Sequence, residues 1–265
     1  MPLEGRDLDR LAGAALESGA PIDITRQPAL WGGKMRGAGA VLVATGTPEY
    51  ERATDEAHAC DLVQAHLIEV LSAIGREMID IYFFRVREMA EEFQISGALR
   101  AMEMAKQEGH IGHMGIRCDG SSLATLGVWQ FHDAFDILLV PRNHRDGAAY
   151  EMLAPLAAER RVGLVTSQPL DWGEGRSFTD APEHWRLRNL TQSFYGQTLA
   201  QAVIADLAKE HPVLVSVRTP KEVELAVTST SHPRPEGLTA MLQPFIESFR
   251  AVSQQPADVH LTEAG

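Results

Sequence analysis

Ile79-Asp80-Ile81-Tyr82-Phe83-Phe84-Arg85-Val86 is a run of strand length that is apolar at odd and even positions alike and carries an arginine near its end. A strand that is apolar on both faces has to be covered on both, and a parallel sheet between an inner core and a ring of helices does this. Similar runs lie to either side, over 22–25, 40–45, 114–117, 137–141, 163–167 and 213–217. Amphipathic segments of helix length separate them, at about 53–74, 96–107, 148–160 and 199–209. In the first of these, Leu62, His66, Ile68, Val70 and Leu71 fall near the inner stripe. Gly109 stands where a left-handed cap closes the second, Gly163 follows the third, and His211-Pro212 leads from the fourth into the last strand. Strands alternating with helices in this way predict one α/β domain built on a parallel sheet.

The closed version of that architecture is a TIM-type (β/α)8 barrel, which needs eight strands. Only about seven are readable, and a helix-like segment at 8–17 already precedes the first. Either the first strand is hidden or the barrel is open, with a loop or another subunit covering the edges that the missing strand exposes. A homo-oligomer is therefore one expected partner arrangement.

Bulk properties agree with a single large core. The chain has 265 residues, 45% of them hydrophobic, and residues 1–250 read as one barrel domain followed by a tail at 251–265. Ser253-Gln254-Gln255-Pro256 in that tail reads as a fraying end. With 36 acidic against 24 basic residues the net charge is −12, which argues against a general nucleic-acid surface. No apolar run approaches the roughly 20 residues needed to span a bilayer, and Met1-Pro2-Leu3-Glu4-Gly5-Arg6 lacks the apolar core of a signal peptide, so no membrane association and a cytoplasmic location are expected. Cys60 and Cys118 are far apart without a CxxC partner and read as free thiols.

The order of the segments is more specific. Ser18-Gly19-Ala20-Pro21-Ile22-Asp23 is followed by Val41-Leu42-Val43-Ala44-Thr45, the 79–84 strand, Gly109-His110-Ile111-Gly112-His113-Met114-Gly115-Ile116, Phe135 to Asn143, and Gly163 to Leu170. Across roughly 8–249 this succession resembles the aldo-keto reductase superfamily. The resemblance implies a (β/α)8 barrel that reduces carbonyls with NADP as cofactor, its site at the C-terminal ends of the strands. Of the four residues that such chemistry uses, only the aspartate matches, as Asp23. The segment Arg26-Gln27-Pro28-Ala29-Leu30-Trp31-Gly32 has Trp31 where the family's proton-donating tyrosine precedes a glycine, and indole is no proton donor at neutral pH. Gly46 stands for the lysine and Arg85 for the histidine; Tyr50 and Tyr82 are the nearby tyrosines. Among cofactor positions, Arg117-Cys118 replaces a Ser-Asn pair and Leu139 a glutamine, while Arg218-Thr219-Pro220-Lys221-Glu222 partly keeps the phosphate-binding stretch. Arg117, Asn143, Arg218 and Lys221 are the candidate cofactor contacts that the resemblance leaves.

The strand ends carry a pattern of their own. Arg85 and Arg87, Arg117, Arg142 and Arg218 each follow a strand, and in a barrel these ends meet at one mouth. Guanidinium groups gathered there either pair with neighbouring acids such as Glu88, Asp119, Asp146 and Glu222 or bind a small anionic molecule. Arg85, Arg142, Trp31 and Trp172 are the candidate substrate or anion contacts, with the glycine-rich loop Asp171-Trp172-Gly173-Glu174-Gly175 over the mouth. His144, following a strand end, is the histidine best placed for acid-base work beside Asp23. His110 and His113 fall on the opposite rim around Gly109 and Gly112, and no metal is expected. Cys118 beside Arg117 reads as a buried, inert thiol, or as one activated by that charge. Two functions are thus expected: an NADP-dependent oxidoreductase with altered catalytic positions that binds an anion, or a non-redox pseudoenzyme that binds a ligand or partner on the same scaffold.

Overall fold

The computed structural model of the chain describes residues 5–26, 28–86, 90–171, 198–231 and 236–253. Seven strands form one sheet: β1 (Ile22–Asp23), β2 (Leu42–Thr45), β3 (Ile79–Val86), β4 (Ile111–Cys118), β5 (Ile137–Pro141), β6 (Gly163–Ser167) and β7 (Val213–Leu214). Every neighbouring pair is parallel, and the order in the sheet is the order in the chain. Helices α1 (Gly5–Glu17), α2 (Pro28–Met35), α3 (Glu56–Ile74), α4 (Glu92–Gln107), α5 (Ser122–Phe131), α6 (Ala148–Arg160), α7 (Leu199–Leu207), α8 (Pro220–Ser229) and α9 (Leu238–Ser253) accompany it. This is an incomplete (β/α)8 barrel. Among the described residues no strand pairs with the outer edge of β1 or of β7. Each of those edge strands is only 2 residues long, which keeps the exposed backbone short. On the outside of the gap α1 packs against both α2 and α8, so the helix ring runs on where the sheet stops.

Period-two alternation sorts the strand side chains into two layers. Val43, Phe83 and Leu139, with Ile81, Ile137, Val165 and Leu214 against them, fill the inside of the barrel. Tyr82, Phe84 and Val86 point the other way and pack with α3 and α4 residues such as Val63, Leu67 and Leu99 in the outer core. Gly115 of β4 lies opposite Phe83 in register, and the Phe83 ring occupies the space that a Cβ at Gly115 would take. Asp80, the one charged residue in the apolar part of β3, accepts the Leu42 amide at 2.8 Å and so pins the start of β2.

The helices extend the sequence reading and correct it in places. Along α3 the buried stripe is Ala59, Val63, Leu67, Val70, Leu71 and Ile74, while Ile68 is 67% exposed and Leu62 only flanks the core. α4 begins at Glu92, earlier than its apolar face shows, because Glu91 and Gln94 form a reciprocal capping box. Its end is as expected, with Gly109 at φ 81 and the His110 amide reaching back to Ala105. α6 closes instead on Arg161 at φ 58, and Gly163 opens β6. Helices α2, α5, α8 and α9 go beyond the expected set. The Gly32-Gly33 pair hides α2, yet Gly32 lets its backbone approach the Ala73 carbonyl of α3. α9 runs to Ser253, so the first residues of the tail are helical and 254–265 lie outside the described residues. No helix among the described residues is long and apolar enough to cross a membrane.

On the N-terminal rim Asp136 ties three elements together. Its Oδ2 accepts Lys106 Nζ at 2.6 Å and the Met114 amide at 3.0 Å, with His113 Nδ1 3.6 Å away. Burial alone raises this carboxyl, but the Lys106 and Met114 hydrogen bonds and the nearby charges outweigh it and hold the carboxyl below its ordinary range. A depressed folded value means that the stabilisation is complete above the ordinary carboxylate range and is lost as pH falls through the folded value. Asp136→Asn is therefore expected to cost about 0.5–1 kcal/mol at neutral pH, discounted because the pair is more than a third exposed. The difference from wild type should close as thermal melts are repeated at falling pH below about 4. His110 and His113 lie on this rim as expected, although His113 is inside β4, and no group of three metal ligands occurs among the described residues.

Candidate functional site at the barrel mouth

The C-terminal ends of β1 to β4 carry a continuous polar chain on the inner face. Asp23, at the end of β1, accepts the Thr25 amide at 2.8 Å in a tight side-chain turn. Thr25 Oγ1 accepts the Thr45 amide of β2 at 2.8 Å, and Thr45 Oγ1 in turn accepts Arg117 Nη1 at 3.0 Å. Arg117 belongs to β4, so its side chain crosses the face of β3 to make that bond. Arg85 is its direct register partner on β3. By alternation both arginines share the inner face with Ile81, Phe83 and Gly115. Asp119, just past β4, lies between them, with Oδ2 2.8 Å from Arg85 Nε and Oδ1 3.8 Å from Arg117 Nε. The three side chains are 19–28% exposed. Among the described residues Asp119 is the one carboxylate that both guanidinium groups face, in a partly desolvated place.

Among the described residues the other strand-end arginines, Arg142 and Arg218, do not join this group. Arg142 pairs with Glu210 at 2.8 Å and stacks over the Tyr150 ring, its guanidinium carbon 3.8 Å from the centroid. The Tyr150 hydroxyl donates to the same Glu210 carboxylate at 3.1 Å, and His211 Nε2 lies 3.2 Å from that hydroxyl. The close guanidinium of Arg142 holds the Glu210 carboxyl below its ordinary range. Arg218 is exposed; its amide donates to the Glu222 carboxylate at 2.6 Å on the turn into α8, and Lys221 is exposed beside it. Asn143 Oδ1 is occupied by the Arg145 and Asp146 amides at 3.0 and 2.8 Å, so this side chain shapes the loop. His144 is not a solvated loop histidine: its Nε2 lies 3.3 Å from Asp206 Oδ2 of α7, and both side chains are 7% exposed. Asp206 gave no sign in the sequence because it sits in the apolar run of a helix. Trp31 packs on the outer core from α2, away from the inner layer. Trp172, Arg87 and Glu88 lie outside the described residues.

The tyrosines resolve plainly. Tyr50 is 1% exposed in the outer core against Phe84 and donates to the Arg85 carbonyl at 2.7 Å, so it fixes the end of β3 from behind. Tyr82 is fully buried on the same side, with its hydroxyl 2.7 Å from His66 Nδ1; burial raises the phenol and lowers the imidazole. The Tyr82 ring and hydroxyl also stand 3.2 Å from where a Cβ at Gly46 would be, so a side chain at that position is crowded. Neither hydroxyl belongs to the inner face. Tyr50→Phe is expected to cost about 1 kcal/mol through the lost hydrogen bond, read as a lower melting temperature with unchanged ligand affinity. Cys60 and Cys118 are buried free thiols, and burial raises both.

No family model and no curated protein sequence matches this chain. Solved structures do. An aldo-keto reductase from Klebsiella pneumoniae in complex with NADPH is similar at a TM-score of 0.71 and 16% identity, over 92% of this chain and 87% of that one. An aldo-keto reductase enzyme from a Medee basin deep-sea metagenome library gives 0.72 at 14% identity, over 92% and 87%. Aldose reductase from Giardia lamblia gives 0.69 at 11% identity, over 92% and 89%. At such identities the likeness concerns the course of the backbone, and it agrees with the segment order read from the sequence: this chain has the fold of those structures, with the sheet open between β7 and β1 among the described residues.

Proposed function

We propose that the barrel mouth is a binding site for a small anionic ligand held by Arg85 and Arg117, on a reductase scaffold that has lost ordinary carbonyl reduction. The observation that carries this reading is the juxtaposition of the two guanidinium groups in direct register on the inner face, with Asp119 as their shared carboxylate. Such a pair is costly without an anion, and it lies where barrels of this type place their ligands. Asp23 and His144 remain the candidates for proton transfer, with Asp23 at the mouth and His144 against Asp206.

NADP(H) fits the residues present only in part. Arg218 and Lys221 are exposed cations on the turn into α8 and suit a phosphate group. The positions expected to recognise the nicotinamide do not: Arg117 is turned toward Thr45 and Asp119, Cys118 is a buried thiol, and Leu139 belongs to the apolar fill. No hydride-transfer step is therefore assigned. The placement of Tyr50 and Tyr82 in the outer core favours the second reading, a pseudoenzyme that binds without redox turnover. Titrating the protein with NADPH and following the cofactor's own fluorescence, beside an assay of NADPH oxidation with simple aldehydes and ketones, tests both. The expected result is no oxidation above background. Turnover that Asp23→Asn abolishes would restore the reductase.

A further inference from the structure

Asp119 is the carboxylate that faces both arginines of the mouth. It leaves β4 directly and is followed by Gly120 at φ 127, a backbone conformation that side-chain-bearing residues rarely adopt. One oxygen faces each guanidinium, 2.8 Å from Arg85 Nε and 3.8 Å from Arg117 Nε. A ligand carboxylate bridging the same pair would take the same place. The internal fit is incomplete. Arg85 Nε is shielded from solvent and, among the described residues, has no well-aligned acceptor: the Asp119 oxygen is close, but the N–H is not directed at it. A buried donor in that condition gains from any acceptor that is better aimed. Arg117 already gives Nη1 to Thr45, so the pair offers a planar, two-oxygen group more of what it can bind than it offers a tetrahedral anion seeking several donors.

Resting on the anion reading of the mouth, we propose that Asp119 is a stand-in for a ligand carboxylate: the site takes a small carboxylate-bearing molecule, which binds by displacing the Asp119 side chain from Arg85 and Arg117. Asp119 thereby sets how strongly an external carboxylate must compete before it is held. The loop that carries Asp119 continues into α5 through the Ser121 cap, so displacement needs rotation of one side chain and leaves the strand pairing intact.

Isothermal titration calorimetry with acetate and with inorganic phosphate, on the whole chain, tests this. Asp119→Asn is expected to bind acetate at least tenfold more tightly than the wild type does, and the gain should vanish when Arg117→Ala is added. Asp119→Ser serves the same purpose should the asparagine variant not fold, with thermal melts reporting the fold of each. Acetate affinity that is unchanged or weaker in Asp119→Asn, while Arg117→Ala still removes binding from the wild type, would overturn the stand-in role and leave the anion site in place. A gain larger for phosphate than for acetate would overturn the carboxylate assignment. Absence of binding of either anion to the wild type and to Asp119→Asn would remove the anion reading itself, and this inference with it.

Discussion

Gly97→Ala is expected to lower the melting temperature by roughly 2–12 °C. Gly97 lies in α4 where that helix crosses α3, and an added Cβ would overlap the backbone carbonyl oxygen of Glu56 and press on the Ala59 side chain. A carbonyl in the first turn of a helix cannot swing aside as a side-chain tip can. The two helices must separate, and overpacking of this kind costs about 1–3 kcal/mol, which at roughly 2–4 °C per kcal/mol for a chain of this size gives the stated shift. The packing of α3 on α4 also holds the outer face of β3, so the loss reaches the sheet through Leu67 and Leu99. Gly13→Ala in α1 is the control. Nothing lies within 4 Å of a Cβ there, and the helix-propensity gain of about 0.5–1 kcal/mol should appear unopposed. Equal melting temperatures for the two variants would mean that α3 and α4 are not in close contact.

Arg117→Ala is expected to reduce affinity for small anions by about 10- to 150-fold, the equivalent of a charge-assisted contact of roughly 1.5–3 kcal/mol, with little loss of stability. Its removal relieves repulsion from Arg85 and leaves Asp119 to pair with one guanidinium. Arg142→Ala should behave in the opposite way. It takes the partner from Glu210 and the stacked cation from Tyr150, which costs stability of about 1–2 kcal/mol, but it lies outside the network at the mouth and should leave anion affinity unchanged. Titration calorimetry and thermal melts on both variants separate the two roles. If Arg142→Ala weakens anion binding as much as Arg117→Ala does, all the strand-end arginines act as one site, as the sequence alone led us to expect.

What could be read from the sequence follows from which forces are local. The strands were legible because burial on both faces writes an apolar run into consecutive residues, and 137–141 and 163–167 fall where expected. The described residues hold seven strands, the number that was readable for the same reason. α5 was not, since Ser122 to Phe131 is apolar nearly throughout and shows no stripe. At the site, position along the chain told which side chains stand at strand ends, but not their partners. Arg85 and Arg117 became a pair only through register between β3 and β4. Arg142 was drawn away by Glu210, which is far off in sequence and not among the acids near any strand end. Asp206 shows the same limit, because a buried acid in an apolar helix reads as noise until its histidine is found.

The open side of the sheet has a mechanical consequence. Everywhere else in the molecule, neighbouring strands are stitched by backbone hydrogen bonds, and parting them means breaking a ladder. Between β7 and β1 no strand ladder joins the two ends of the sheet among the described residues, and α1 lying on α8 and α2 spans the gap. That joint is a seam. Helices can slide or lift there without the loss of a single interstrand hydrogen bond, so the free energy of opening is lowest along this line. A closed barrel resists changes in girth around its whole circumference; among the described residues this sheet has no ladder across the gap to share in that resistance.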